Sequence, residues 1–88
     1  MKFEYKGRQY ETLLASDVVG DGIWLELWDE TEEPEHILGV FYSDTDGSFT
    51  FHCYGRQQLP LELVERCIHE ARDRLLPIAD ELLDEEYP

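Results

Sequence analysis

His36, His52, His69, Cys53 and Cys67 are the residues of this 88-residue chain whose side chains could ligate a metal or attack an electrophile. Imidazole and thiolate bind zinc and copper, and a thiolate activated by a histidine is a nucleophile. Both chemistries depend on spacing. His52 and Cys53 are neighbours in a run that alternates like a strand, so their side chains leave opposite faces. Cys67 and His69 stand two apart in a helical run and do not share a side. No paired metal-ligand spacing occurs. No catalytic residue, metal or cofactor is expected from this pattern. Both cysteines fall on the expected core faces and read as small, inert, buried hydrophobes. His52 is the one titratable ring expected on an aromatic surface, where a small ligand-binding or enzymatic site could sit.

The carboxylates are abundant. "DETEEPE" spans Asp29, Glu30, Glu32, Glu33 and Glu35, and "DELLDEE" closes the chain from Asp80 to Glu86. General acid–base work needs carboxyls in contrasting, partly buried surroundings, whereas acids in a loop or tail stay solvated and ionised. "DTDGS", from Asp44 to Ser48, has the Asp-x-Asp opening of a calcium-binding loop. Glycine comes two positions too early for one, and Gly55 stands where the closing glutamate belongs. Asp and Gly are ordinary turn formers, so a turn is the expectation. There is no Gly-rich phosphate loop and no serine-nucleophile motif.

Charge constrains the partner. With 21 acidic residues against 7 basic, the formal net charge is −14. Nucleic-acid binding draws its affinity from cations that neutralise phosphates, so direct DNA or RNA binding is disfavoured. The same field favours encounter with a basic protein, and it also keeps a small protein soluble. Aromatic residues make up 12% of the chain, too many for a disordered polyanion. The first residues lack the apolar run of a signal peptide and no segment reaches membrane-spanning length, so a cytoplasmic protein with reduced thiols and no membrane contact is expected.

The elements that must position these groups follow from periodicity. Residues 2–5 and 9–15 flank Lys6-Gly7, a two-residue hairpin turn that pairs Phe3 with Tyr10 and Lys2 with Glu11. Runs 23–28, 36–43 and 48–54 alternate, and Thr45-Asp46-Gly47 suits a three-residue hairpin loop with Gly47 left-handed. From Pro60 the period becomes helical: Val64, Ile68, Ala71, Leu75, Ile78 and Leu82 form one stripe, widened by Cys67, Ala79 and Leu83. Glu62–Arg66, Arg66–Glu70 and Glu70–Arg74 are candidate pairs on the wet side. Pro77 should kink the helix. The expected fold is α+β in one domain. Residues 1–55 form a five-stranded antiparallel meander, and residues 56–86 form one long Pro-kinked C-terminal helix with an acidic tail.

One helix covers one face of such a sheet. The loop 45–47 sets a register with Phe41 opposite Phe51 and Val40 opposite His52. That register assigns Ile37, Phe41, Phe49, Phe51 and Cys53 to the core. The other face then carries Trp24, Trp28, Leu38, Val40, Tyr42, His52 and Tyr54, together with His36, Thr50 and Glu26. So large an apolar surface must be met by the chain's own curl, by a second copy, or by a foreign partner. Three functions follow. The first is a non-enzymatic interaction domain, a homodimer or the binder of a protein partner through those seven residues. The second is an acidic inhibitor that imitates nucleic-acid charge with Asp29, Glu30, Glu32, Glu33 and Glu35. The third is a ligand or catalytic site near His52.

Overall fold

The structure, a computed structural model, describes residues 1–55 and 58–86, with side chains as far as residue 76. Among these residues the chain forms five strands and one helix. They are β1 (Lys2–Tyr5), β2 (Arg8–Asp17), β3 (Gly22–Asp29), β4 (Glu35–Ser43), β5 (Phe49–Cys53) and α1 (Leu61–Glu86). The strands lie in chain order in one antiparallel sheet, and α1 packs on β3 and β4. This is the expected α+β meander with a C-terminal helix. No helix among the described residues is long and apolar enough to cross a membrane.

The first hairpin follows its turn chemistry. Lys6 and Gly7 both take positive φ, 49° and 78°, which matches the twist of the strands they join. Phe3 faces Tyr10 with ring centroids 5.5 Å apart, and Lys2 faces Glu11 at 3.9 Å. At the next connection Gly22 is buried, and the position requires glycine because a Cβ there would lie 2.2 Å from the Tyr42 carbonyl oxygen.

β4 departs from the expected register on both sides. Its hairpin with β5 closes at Ser43 and Ser48, whose backbone N–H···O bond is 2.9 Å, so the loop holds four residues, Asp44 to Gly47. The Gly47 N–H reaches back to the Ser43 carbonyl, with Gly47 at φ 72°. Asp46 Oδ1 accepts from both the N–H and the hydroxyl of Ser48, which braces the longer loop. Asp44 leaves the ladder because its N–H bonds the Asp21 carbonyl in the neighbouring loop. One added residue moves the pairing by one: Phe41 faces Thr50, Val40 faces Phe51 and Leu38 faces Cys53. Because side chains alternate, a slip of one exchanges the faces.

On the β3 side a bulge falls between Leu27 and Trp28, pairing Leu27 with Leu38 and Trp28 with His36. Ile37 is the extra residue. A bulge sets two consecutive residues against one, and Ile37 and Leu38 are both fully buried in the core. The core therefore holds Ile37, Leu38, Val40 and Tyr42 from β4 and Ile23, Leu25 and Leu27 from β3. Leu38, Val40 and Tyr42, expected on the open face, lie under the helix, while Phe41 crosses to the open side.

The helix meets this core with Leu63, Cys67, Ala71 and Leu75, all at most 1% exposed. That stripe is rotated from the centre of the expected one: Cys67, Ala71 and Leu75 belong to both, but Leu63 replaces Val64, which is on the flank, and Ile68 is 39% exposed. The reason is attachment at the first hairpin. Tyr5 donates its hydroxyl to Glu62 at 3.0 Å, and the Arg66 guanidinium lies 3.9 Å from the centre of the Phe3 ring. These two contacts turn Leu63 inward and draw Glu62 and Arg66 to the sheet. Of the three expected ion pairs, Arg74–Glu70 forms, at 2.8 Å. Burial pushes the Cys67 thiol up to about 12, as expected of an inert packing residue. Cys53 differs from expectation: it faces the helix side but stands exposed on the outer strand. The helical span continues through Pro77, and the expected contacts of Ile78, Ala79, Leu82 and Leu83 lie outside the described side chains.

The rotated stripe makes a direct prediction. Leu63→Ala should destabilise by about 2–5 kcal/mol, as large-to-small core changes do. Leu61→Ala, at a position 66% exposed, should cost less than about 0.5 kcal/mol. Urea unfolding of the two variants measures the contrast.

Candidate functional site

The face of the sheet opposite α1 is built from alternate positions of β3, β4 and β5: Trp24, Glu26 and Trp28, then His36, Gly39 and Phe41, then Thr50 and His52. Tyr54 follows just beyond β5. Their rings join into one ribbon. Phe41 and Trp24 have centroids 4.8 Å apart, Trp24 and His52 4.8 Å, and His52 and Tyr54 6.3 Å. The ribbon continues from Tyr54 to His36 at 4.6 Å and from His36 to Trp28 at 4.9 Å. The last pair is stacked with planes 9° apart, and the Trp24–His52 contact is edge to face. Both arrangements suit ring quadrupoles.

Gly39 leaves room for the Trp24 ring. A Cβ at that position would lie 3.0 Å from two carbons of the Trp24 indole and 3.5 Å from Tyr54. The indole therefore lies against bare backbone in the middle of the sheet. Both indole nitrogens are satisfied at the margin by carboxylates. Trp24 Nε1–H donates to Asp17 Oδ2 at 3.1 Å, and Trp28 Nε1–H donates to Glu26 Oε1 at 3.2 Å. Asp17 Oδ1 also accepts the Gly20 N–H at 2.7 Å. These bonds hold the Asp17 carboxyl below the ordinary range, with the Gly20 bond the larger cause. Both tryptophans, both histidines and Phe41 are half-buried, and Tyr54 is exposed. Much of that shielding comes from one ring lying on the next.

Of the expected interaction residues, Trp24, Trp28, His52 and Tyr54 come together here, while Leu38, Val40 and Tyr42 do not. Phe41, expected in the core, is the ribbon member they lacked, brought across by the one-residue slip in the β4–β5 pairing, while His36, expected on this face beside them, takes its place between Trp28 and Tyr54. Val40, Phe41 and Tyr42 are consecutive apolar residues, so local alternation carried no signal for the face of Phe41. His52 sits between Trp24 and Tyr54, and His36 Nε2 lies 3.1 Å from the Leu38 carbonyl oxygen. His69 belongs to a separate exposed pair with Asp73 on α1. Among the described residues no three His, Cys, Asp or Glu side chains converge as a metal site.

The acidic loop is less uniform than its composition. Asp29 is 2% exposed and accepts Arg8 Nε and Nη2 on one oxygen, at 3.0 and 2.9 Å. Its other oxygen accepts the Thr31 N–H. Asp29 therefore organises the loop and does not stand in solvent as expected. Glu32, Glu33 and Glu35 are exposed, and Glu30 is half-buried. Carboxylates also border the ring ribbon: Glu26 and Asp17 at the indoles, with Glu11 on β2 opposite Trp28.

No protein-family model matches this chain, and comparison with curated proteins and with solved structures finds no match.

Two outcomes follow from the geometry. Gly39→Leu should lift Trp24 off the sheet, and its indole N–H resonance should move much more than that of Trp28 in a proton–nitrogen NMR spectrum. Acid should release the same indole. A carboxyl lowered on folding contributes stability in full above its unfolded value, near 3.8, and loses it as pH falls through the lower folded value. The Trp24 N–H signal should shift in that window in the native chain and stay constant there in Asp17→Asn.

Proposed function

We propose that this protein is a non-enzymatic interaction domain whose open sheet face grips a partner protein through cationic side chains. The observation that carries this reading is the six-ring ribbon on the face that α1 leaves uncovered, bordered by Asp17, Glu11 and Glu26. Ring faces attract ammonium and guanidinium groups, Trp most strongly, and the neighbouring carboxylates add charge-assisted bonds. A net charge of −14 steers a basic protein toward the surface. The same charges argue against two copies meeting through this face, because each would set its carboxylates against the other's. Trp and Tyr are also the side chains that most often anchor interfaces.

The acidic-mimic reading loses its first residue, because Asp29 is held by Arg8, and retains Glu30, Glu32, Glu33 and Glu35. A site near His52 is supported only by that ring's place between Trp24 and Tyr54.

Titration with a short arginine-containing peptide, followed by NMR, separates these readings. Shifts concentrated on the Trp24 and Trp28 indole N–H signals, and persisting at 0.3 M salt, support the ribbon. At that ionic strength screening acts within about 6 Å. Shifts confined to Glu30, Glu32, Glu33 and Glu35 that vanish with salt favour the acidic mimic. Unmoved indole signals sink the proposal.

A further inference from the structure

The two edges of the sheet are built differently. Antiparallel strands turn alternate backbone groups toward each neighbour. On β1, the Met1–Thr12 bonds show that Phe3 and Tyr5 pair inward, which leaves the groups of Lys2 and Glu4 facing out. Charged side chains at those positions are what protects an edge from pairing with another chain. On β5, the Ser43–Ser48 and Tyr54–Ile37 bonds place Thr50 and His52 on the inward ladder. The N–H and C=O groups of Phe49, Phe51 and Cys53 therefore face out. Among the described residues no backbone bond caps them. The strand, Phe49-Thr50-Phe51-His52-Cys53, has no Lys, Pro, Asp or Glu to blunt it.

Beside this edge, on the helix side, lies an apolar cleft of about 180 Å³ between β5 and α1. Val40, Phe49, Phe51, Ile68 and Ala71 line it, and Arg72 is its single charged wall residue among those described. Phe51 is 44% exposed, and Ile68 and Leu76, on one flank of α1, are each 39% exposed.

We infer that a second copy of this chain pairs with β5, giving a twofold dimer with a continuous ten-stranded sheet. The twofold passes through Phe51. In that register Phe51 faces its own copy, Phe49 faces Cys53 of the second copy and Cys53 faces Phe49, so every outward N–H meets a carbonyl. The paired Phe51 rings fall against the two clefts. A polyanion at −14 resists self-association over most of its surface, and β5 with its cleft is a stretch without a carboxylate. That uncharged character selects a second copy over a basic partner, which the ring ribbon on the other face suits better. Both ribbons stay open in the dimer, on one side of the extended sheet.

The test is solution mass by light scattering and sedimentation over a hundredfold range of concentration, with circular dichroism to check the fold. The native chain should be dimeric. Cys53→Pro removes an outward donor and leaves the β4–β5 ladder whole, because the Cys53 N–H does not point to β4; Pro is tolerated at such edge positions. It should weaken the dimer by about tenfold or more, two interchain bonds being lost. Phe51→Lys sets two cations opposite each other and should give monomers with native circular dichroism. The register has its own readout. Facing residues in a hydrogen-bonded pair have Cα atoms about 5.5 Å apart, within disulfide reach. Phe51→Cys in a Cys53→Ser background should therefore cross-link to a covalent dimer on mild oxidation. A native chain that stays monomeric throughout overturns the inference. A dimer indifferent to Cys53→Pro and Phe51→Lys also overturns it. So does a dimer abolished by Trp28→Glu alone, which would move self-association to the ribbon. The ribbon proposal stands or falls separately, on the indole signals.

Discussion

The register of β4 is the constraint on which the other features depend. Two backbone features mark its ends: the Ser43–Ser48 closure with Gly47 left-handed, and the bulge that doubles Ile37 and Leu38 against Leu27. Side chains in a strand have a period of two, so either device, moved by one residue, would exchange the faces of the strand residues beyond it. With both in place, Leu38, Val40 and Tyr42 turn toward α1, and His36, Gly39 and Phe41 turn away. The core and the ring ribbon are thus two results of one alignment. Each fully buried Leu or Ile on the core side contributes roughly 1.5–3 kcal/mol of transfer free energy, which makes the alternative alignment expensive.

The helix is held asymmetrically. Toward β1 it is anchored by polar contacts, Tyr5 to Glu62 and Arg66 over Phe3, which set the rotation that sends Leu63, Cys67, Ala71 and Leu75 inward. Glu62 accepts its own backbone N–H in the first turn of α1 as well as the Tyr5 hydroxyl, and both lower its carboxyl. Toward β5 the flank of the helix is apolar and bordered by a cleft. A charged edge on one side and an uncharged edge on the other follow from the same short meander, because strand composition differs between its ends.

Electrostatics sharpens that asymmetry. Arg8 is engaged by Asp29, Arg74 by Glu70, Arg66 by the Phe3 ring, and Lys2 lies 3.9 Å from Glu11. With these cations occupied by internal partners, the carboxylates that face solvent set the outer field. Asp29 shows that composition alone misjudges an acidic run: in a run of like charges, one member is buried, paired and structural.

Much of this was legible along the chain. Turn residues with positive φ, alternation in the strands and the change to a helical period at Pro60 are local signals, and each is written in consecutive residues. They determined the five-strand meander, the C-terminal helix, the Lys6-Gly7 hairpin with its Phe3–Tyr10 pair, and the placing of Trp24, Trp28, His52 and Tyr54 on one face. The tertiary structure decided which residues of β4 join them, how far the helix is rotated, and that Asp29 is buried. Those outcomes depend on contacts between distant segments: Asp44 with Asp21, Tyr5 with Glu62, Arg8 with Asp29. A loop of three residues and one of four fit "SDTDGS" about equally by local rules. The choice between them fell to burial across the whole sheet, which no single stretch of sequence contains.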